Sequence, residues 1–235
     1  QEEQHGIGGQ VLAERFKNPT AIIVGEPSGV DGITLGYKGT FTMEFFKRKT
    51  SMHSANDSEK NVIEEAIEFT QKIKEFCDEF NKNKSVWNGL QHRVAKFNFD
   101  EVNGVEQVKV RVKFRTPLGF DSAELKKVVG ENKNGGEVSY LQSWGSEEAC
   151  LAPKNSLLTR AFIKAIRAEG GKPIFKVKTG TADMNTFFKA FPDVSIVSYG
   201  PGDSNLDHTP DEHLNLDELD QAVRVLEKVL LSFDD

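Results

Sequence analysis

The chain of 235 residues carries 30 Lys+Arg against 36 Asp+Glu, a formal net charge of −6, with 37% hydrophobic and 28% charged residues. These proportions describe a globular protein with one large core or two small ones. No apolar run approaches the roughly 20 residues of a membrane-spanning helix, and the acidic balance argues against a general nucleic-acid binder, which relies on clustered Lys and Arg. Two cysteines, Cys77 and Cys150, cannot build a disulfide framework or a thiolate zinc site. A reduced, cytoplasmic setting is therefore expected, with no secretory signal at the opening Gln1-Glu2-Glu3.

Residues 20–25, Thr-Ala-Ile-Ile-Val-Gly, form a short β-branched run stopped by Gly25 and Pro27, the pattern of a buried, central, parallel strand. Residues 33–49 have strand character, with Phe41, Met43 and Phe45 alternating against polar neighbours. The three- and four-residue spacing of Val62, Ile63, Ala66, Ile67, Ile73, Phe76, Cys77 and Phe80 predicts an amphipathic helix over 61–80. Val108, Val110, Val112 and Phe114 alternate as a strand; a short helix at 123–129 and a strand at 137–144 follow. Block 38–146 thus reads strand, helix, strand, helix, strand, an α+β sandwich of the split βαβ kind.

Beyond it, 156–168 is a helix ended by Gly170-Gly171, and 173–178 and 194–199 are strands. Asn215-Leu216-Asp217-Glu218 has capping-box spacing and opens a last helix with Leu216, Leu219, Val223, Leu226 and Leu230 as its buried stripe. The fold class expected is α/β, interrupted by an inserted α+β unit, with segments 1–37, 38–146 and 147–235.

Glu26 follows the strand at 20–25, and His208 lies in the loop after the strand at 194–199. Sites in open α/β sheets form outside the carboxyl ends of strands, and a carboxylate with an imidazole there can hold zinc. The same residues also read as a turn glutamate and a solvated loop histidine. The doublet Glu2-Glu3, His53 before the long helix, and Arg115 at a strand end are each compatible with plain surface roles. The turn Thr179-Gly180-Thr181-Ala182-Asp183-Met184-Asn185 offers small residues and free N–H groups at a helix start, suited either to a substrate carboxylate or to helix capping.

Taken in order, Glu2-Glu3, Gly25-Glu26-Pro27, His53-Ser54-Ala55, Arg115-Thr116-Pro117, Thr181-Ala182-Asp183 and His208 with Asp211-Glu212 resemble the di-zinc aminoacyl amidohydrolases related to carboxypeptidase G and succinyl-diaminopimelate desuccinylase. The stretches 178–185 and 199–213 are similar to lysine/ornithine hydrolases that act on a small acidic amino-group carrier protein. The resemblance implies two zinc ions, with cobalt as an alternative, held on this chain by Glu3, Glu26 and His208. It also implies Glu2 as general base, His53 as an oxyanion donor reaching across a homodimer built on the inserted unit, and a carboxylate clamp of Arg115, Thr179, Gly180, Thr181, Asp183 and Asn185. It places a further His-x-Asp ligand pair and a metal-bridging Asp ahead of Gln1, so that residues 1–235 alone are expected to hold metal poorly and to be inactive. The implied reaction frees lysine or ornithine from the carrier's C-terminal glutamate, in lysine and arginine biosynthesis. The alternatives are a deacetylase of acetyl-ornithine or acetyl-lysine, and a non-catalytic dimerisation or carrier-binding module.

Overall fold

The structure, a computed structural model, describes residues 6–51, 59–141 and 148–233. The chain runs through α1 (Ile7–Arg15), β1 (Ala21–Val24), β2 (Gly32–Tyr37), β3 (Gly39–Thr50), α2 (Val62–Phe80), β4 (Gln91–Val102), β5 (Val105–Thr116), α3 (Ala123–Asn132) and β6 (Glu137–Leu141). It continues through β7 (Cys150–Leu151), α4 (Leu157–Ala168), β8 (Ile174–Lys178), α5 (Asp183–Ala190), β9 (Ser195–Ser198) and α6 (Leu216–Leu231). Two units result, one made of Gln1–Lys38 with Trp144–Asp235 and the other of Gly39–Ser143. No helix among the described residues is long and apolar enough to cross a membrane.

The first unit is a mixed α/β layer. Its sheet is ordered β1-β9-β2-β7, with β8 also pairing β2. β1 and β9 run parallel, as do β2 and β8, while β2 meets β9 antiparallel at Thr34 and Ser198. One core joins Ile33, Leu35, Val197 and Tyr199 of this sheet region to Leu158, Phe162 and Ile166 of α4 and to Ala222, Val225 and Val229 of α6. Ser156 caps α4 by accepting from the Thr159 N–H at 3.1 Å, as a hydroxyl at this position does.

Three expectations are corrected here. Among the described residues β1 is an edge strand, not a central one, and only Val24 of its four residues is buried. The buried stripe of α6 is Ala222, Val225 and Val229; Leu216 and Leu230 are 73% and 59% exposed, because the helix turns its smaller residues toward the sheet. The capping box at Asn215 is half made: Asn215 accepts from the Asp217 N–H, but Glu218 accepts from the Gly202 N–H at 3.2 Å.

The second unit has the order β-α-β-β-α-β, with the antiparallel sheet β4-β5-β3-β6. The stretch of strand character over 33–49 comprises two strands, β2 and β3, which part at Lys38 and join different sheets. The strand β4 was not anticipated; it pairs with β5 through a hairpin at Asn103-Gly104, both with positive φ (51° and 70°), as a two-residue primed turn requires. Val108, Val110, Val112 and Phe114 bury one face of β5 against Val62, Ala66, Phe69, Ile73 and Cys77 of α2 and Leu125 and Val129 of α3. Asn61 caps α2 in a complete capping box with Glu64. Strand β6 ends at Leu141, and the rest of the strand expected to 144 lies outside the described residues.

Candidate functional site

The first unit brings two loops together at the carboxyl ends of β1 and β9. The Tyr199 N–H donates to the Val24 carbonyl at 3.0 Å, and the Ser28 N–H to the Gly200 carbonyl at 2.9 Å. The fully buried Ser28 hydroxyl donates to the Gly32 carbonyl at 2.8 Å and accepts from the Gly200 N–H at 3.2 Å. Contact is so close that a Cβ added at Gly200 would lie 2.8 Å from the Glu26 carbonyl oxygen. A glycine is therefore required here. Glu26, half-buried, stands on one of these stitched loops and His208, exposed, on the other.

His208 takes the left-handed conformation (φ 62°), and its N–H donates to Glu212 Oε2 at 2.9 Å. Its neighbour Asp207 faces Lys178 at the end of β8, Nζ to Oδ2 4.0 Å. Burial pulls the Lys178 ammonium below its ordinary range, opposed by Asp207 and Glu26. The ammonium also lies 5.8 Å from the centroid of the Tyr37 ring. Tyr37 is buried, which pushes its phenol well above the ordinary tyrosine range, and its hydroxyl, with Ser198 beside it, makes no hydrogen bond of normal geometry. Glu26, Tyr37, Lys178 and Asp207 thus form one electrostatic cluster at the strand ends. Of these only Glu26 was singled out from sequence; Lys178 and Asp207 were visible only as members of the stretches 178–185 and 199–213.

The turn after β8 leads into α5. Ala182 cannot cap the helix with its own side chain; Asn185 does so instead, its Oδ1 accepting from the Ala182 N–H at 3.0 Å. Asn185 Nδ2 donates to the carbonyls of Lys38 (3.1 Å) and Glu148 (2.8 Å), so this buried amide is engaged with backbone throughout. Thr179 is exposed, and Gly180, Thr181 and Asp183 are half-buried. Asp183 and Glu26 both line a cavity of about 460 Å³ whose walls are mostly apolar, including Leu12, Phe16, Ile22 and Phe187.

Arg115 belongs to the second unit, near the end of β5 between Gln91 and Thr40. Burial pulls its guanidinium below the ordinary arginine range. Glu2, Glu3 and His53 lie outside the described residues. Among the described residues no group of three or more His, Cys, Asp or Glu side chains is gathered as a metal site.

Comparison with known proteins gives consistent results. The profile of peptidase family M20/M25/M40 matches residues 1–232. A LysW-lysine hydrolase of Deinococcus radiodurans is 36% identical over 234 residues, 98% of this chain and 64% of that protein. A putative LysW-lysine/LysW-ornithine hydrolase of Pyrococcus horikoshii is 34% identical over 218 residues, 92% of this chain and 59% of that protein. This chain therefore spans about three-fifths of the length of these relatives. Among solved structures, aminopeptidase PepT from Bacillus cereus is similar with TM-score 0.76 and 14% identity, over 100% of this chain and 62% of that one. The M20 family metallo-carboxypeptidase Sso-CP2 from Sulfolobus solfataricus gives TM-score 0.71 and 16% identity, over 96% and 68%. At such identities these structures speak to the fold alone.

Proposed function

The chain belongs to peptidase family M20/M25/M40, and from that premise we propose that the whole protein is a metal-dependent amide hydrolase releasing lysine, or ornithine, from the C-terminal glutamate of an amino-group carrier protein. The observation that carries the reading is the stitched pair of loops after β1 and β9, because Glu26 stands on one and His208 on the other. The name LysW-lysine hydrolase, borne by a relative 36% identical over 98% of this chain, supports the substrate class. The reaction belongs to lysine and arginine biosynthesis in the cytoplasm, in keeping with Cys77 and Cys150 as buried free thiols.

Glu26 and His208 are oxygen and nitrogen donors of the kind zinc takes, on loops fixed to one another by backbone hydrogen bonds. The donor chemistry fits, and Glu3 adds a third ligand from this chain. When bound, the metal, two zinc ions in this reading with cobalt as the alternative, polarises the scissile carbonyl and lowers the pKa of the attacking water. Glu2 accepts the water's proton and returns it to the leaving amine. His53 donates to the oxyanion from across a homodimer; loss of such a donor costs about 2.7–4 kcal/mol of transition-state stabilisation. Arg115, with Thr179, Gly180 and Thr181, binds the substrate's free carboxylate, Arg being suited to a bidentate contact. Asp183 stands in the first turn of α5 beside these substrate-binding residues, and Asn185 shapes the turn through its three backbone hydrogen bonds.

For the homodimer, the support is β4. Among the described residues it is a long edge strand of the second unit's sheet, and its Phe97 and Phe99 are 39% and 44% exposed. Such an edge is a template for pairing with a second chain.

The test is release of free lysine or ornithine from the loaded carrier by the intact protein, with and without chelator. Chelator-sensitive release is expected. Release from acetyl-lysine or acetyl-ornithine alone would replace the carrier by a small N-acyl substrate, and no release from any of them would sink the reading.

A further inference from the structure

The second unit buries one face of its sheet under α2 and α3 through the even-numbered residues of β5. The odd-numbered residues of β5 lie on the opposite face, and there the register sets cations side by side. Arg93 of β4 stands directly across from Lys113 of β5, and Lys96 directly across from Arg111. Like charges directly opposite one another destabilise an antiparallel pair, so the arrangement costs the fold something that an apolar or mixed face would not.

The counter-charge within reach is Glu44, next in line on β3. It is buried and answers Arg111 at 2.7 Å and Lys109 at 2.9 Å. Among the described residues no carboxylate lies within ion-pair distance of Arg93, Lys96 or Lys113. The odd-numbered series continues to Arg115, so Arg115, Lys113, Arg111 and Lys109 make a cationic track of about 20 Å at the rise of an antiparallel strand. The chain as a whole has a net charge of −6. This concentration of positive charge is therefore a local feature and not a reflection of composition.

We propose that this sheet face docks an acidic protein surface, and that it guides the carrier's acidic body while Arg115 takes the carboxylate at one end of the track. The proposal rests on the carrier-borne substrate of the preceding section. A small molecule answers one or two of these cations; only a surface with several carboxylates answers the series. Nucleic acid is the less favoured occupant. Single-strand binding needs exposed aromatic platforms, whereas the one aromatic in these rows, Phe46 across from Lys109, is half-buried.

The experiment uses the intact protein and the triple variant Arg93→Gln/Lys96→Gln/Lys113→Gln. Two quantities are measured over a range of salt: kcat/KM on lysine-loaded carrier and on acetyl-lysine, and carrier binding by fluorescence anisotropy. Expected are a fall of about tenfold or more in kcat/KM on the carrier at low salt, a flatter salt dependence, and unchanged turnover of any acetyl-lysine that the parent accepts. Should the parent hydrolyse neither substrate, the functional reading fails, yet docking stands if the parent binds carrier and the triple variant binds it at least tenfold more weakly. Parental carrier affinity and salt dependence in the triple variant would overturn the proposal. So would tighter binding of a single-stranded DNA oligonucleotide than of carrier by the parent.

Discussion

Lys178, the last residue of β8, reaches Asp207, the residue before His208 in the loop after β9, at 4.0 Å. One lysine thereby ties the His208 loop to the strand that leads into the Thr179–Asp183 turn, with side chains only 14% and 30% exposed. Lys178→Met keeps the aliphatic stem and removes the charge. Metal affinity of the intact protein, measured by isothermal titration, is expected to weaken about tenfold, as for other groups that orient ligands at one remove. Lys178→Arg should recover most of it. Parental affinity in Lys178→Met would show that the pair does not orient the loop.

Asn185→Ala removes two donors and one acceptor at once, leaving the carbonyls of Lys38 and Glu148 and the Ala182 N–H without their partner. Unsatisfied buried groups cost about 1–3 kcal/mol each, so urea denaturation should report a loss of at least about 2 kcal/mol. Asn185→Asp keeps the acceptor but turns negative charge toward two carbonyls, and should be no better. A loss under about 0.5 kcal/mol would mean that water replaces the amide.

Gly200→Ala sets a methyl group 2.8 Å from the Glu26 carbonyl oxygen, with more backbone of the same residue just behind. Backbone cannot swing aside as a flexible side chain can, so the two loops must part. A loss of about 1–3 kcal/mol is expected, together with weakened metal binding, read by cobalt absorption spectroscopy. If both remain parental, the stitched loops are not what presents Glu26 and His208.

The Glu44 carboxyl feels burial, which raises its pKa, and hydrogen bonds from Lys109 and Arg111, which outweigh burial and hold it below the ordinary 4.5. A carboxyl depressed in the folded state adds stability above its unfolded value, and that stability is lost as pH falls through the folded value. Thermal melts of the parent should therefore lose ground to those of Glu44→Gln as pH drops below about 4.5. Near neutrality Glu44→Ala should cost about 1–2 kcal/mol, because Lys109 and Arg111 are half-exposed and screened. Parallel pH profiles would refute the assignment.

Legibility in the sequence tracked how local each cause was. The helix α2 and the strand β5 were readable because burial there follows a strict period, 3.6 in one and 2 in the other. The strand β4 escaped notice because its register shifts between Val94 and Lys96, which breaks the alternation. Its Asn103-Gly104 turn was the signal that could have found it. In α6 the leucines are the larger apolar residues, but the layer beneath the helix decides which face is buried, and it takes Ala222, Val225 and Val229. Strand-end logic found the loops of Glu26 and His208. The tie between Lys178 and Asp207 joins residues on separate elements, and only the fold brings them within reach of one another.

The single amide of Asn185 holds the carbonyls of both Lys38 and Glu148, so the polypeptide leaves the first unit and returns to it at one point. A closure entropy that grows only as the logarithm of loop length makes the length and content of what is strung between those two residues nearly immaterial to the first unit. A short reverse turn between the same two residues would leave the Asn185 tie in place as a sheet with its helices does. Descent could thus exchange the intervening module for one suited to another cargo, while the strand-end chemistry was inherited intact.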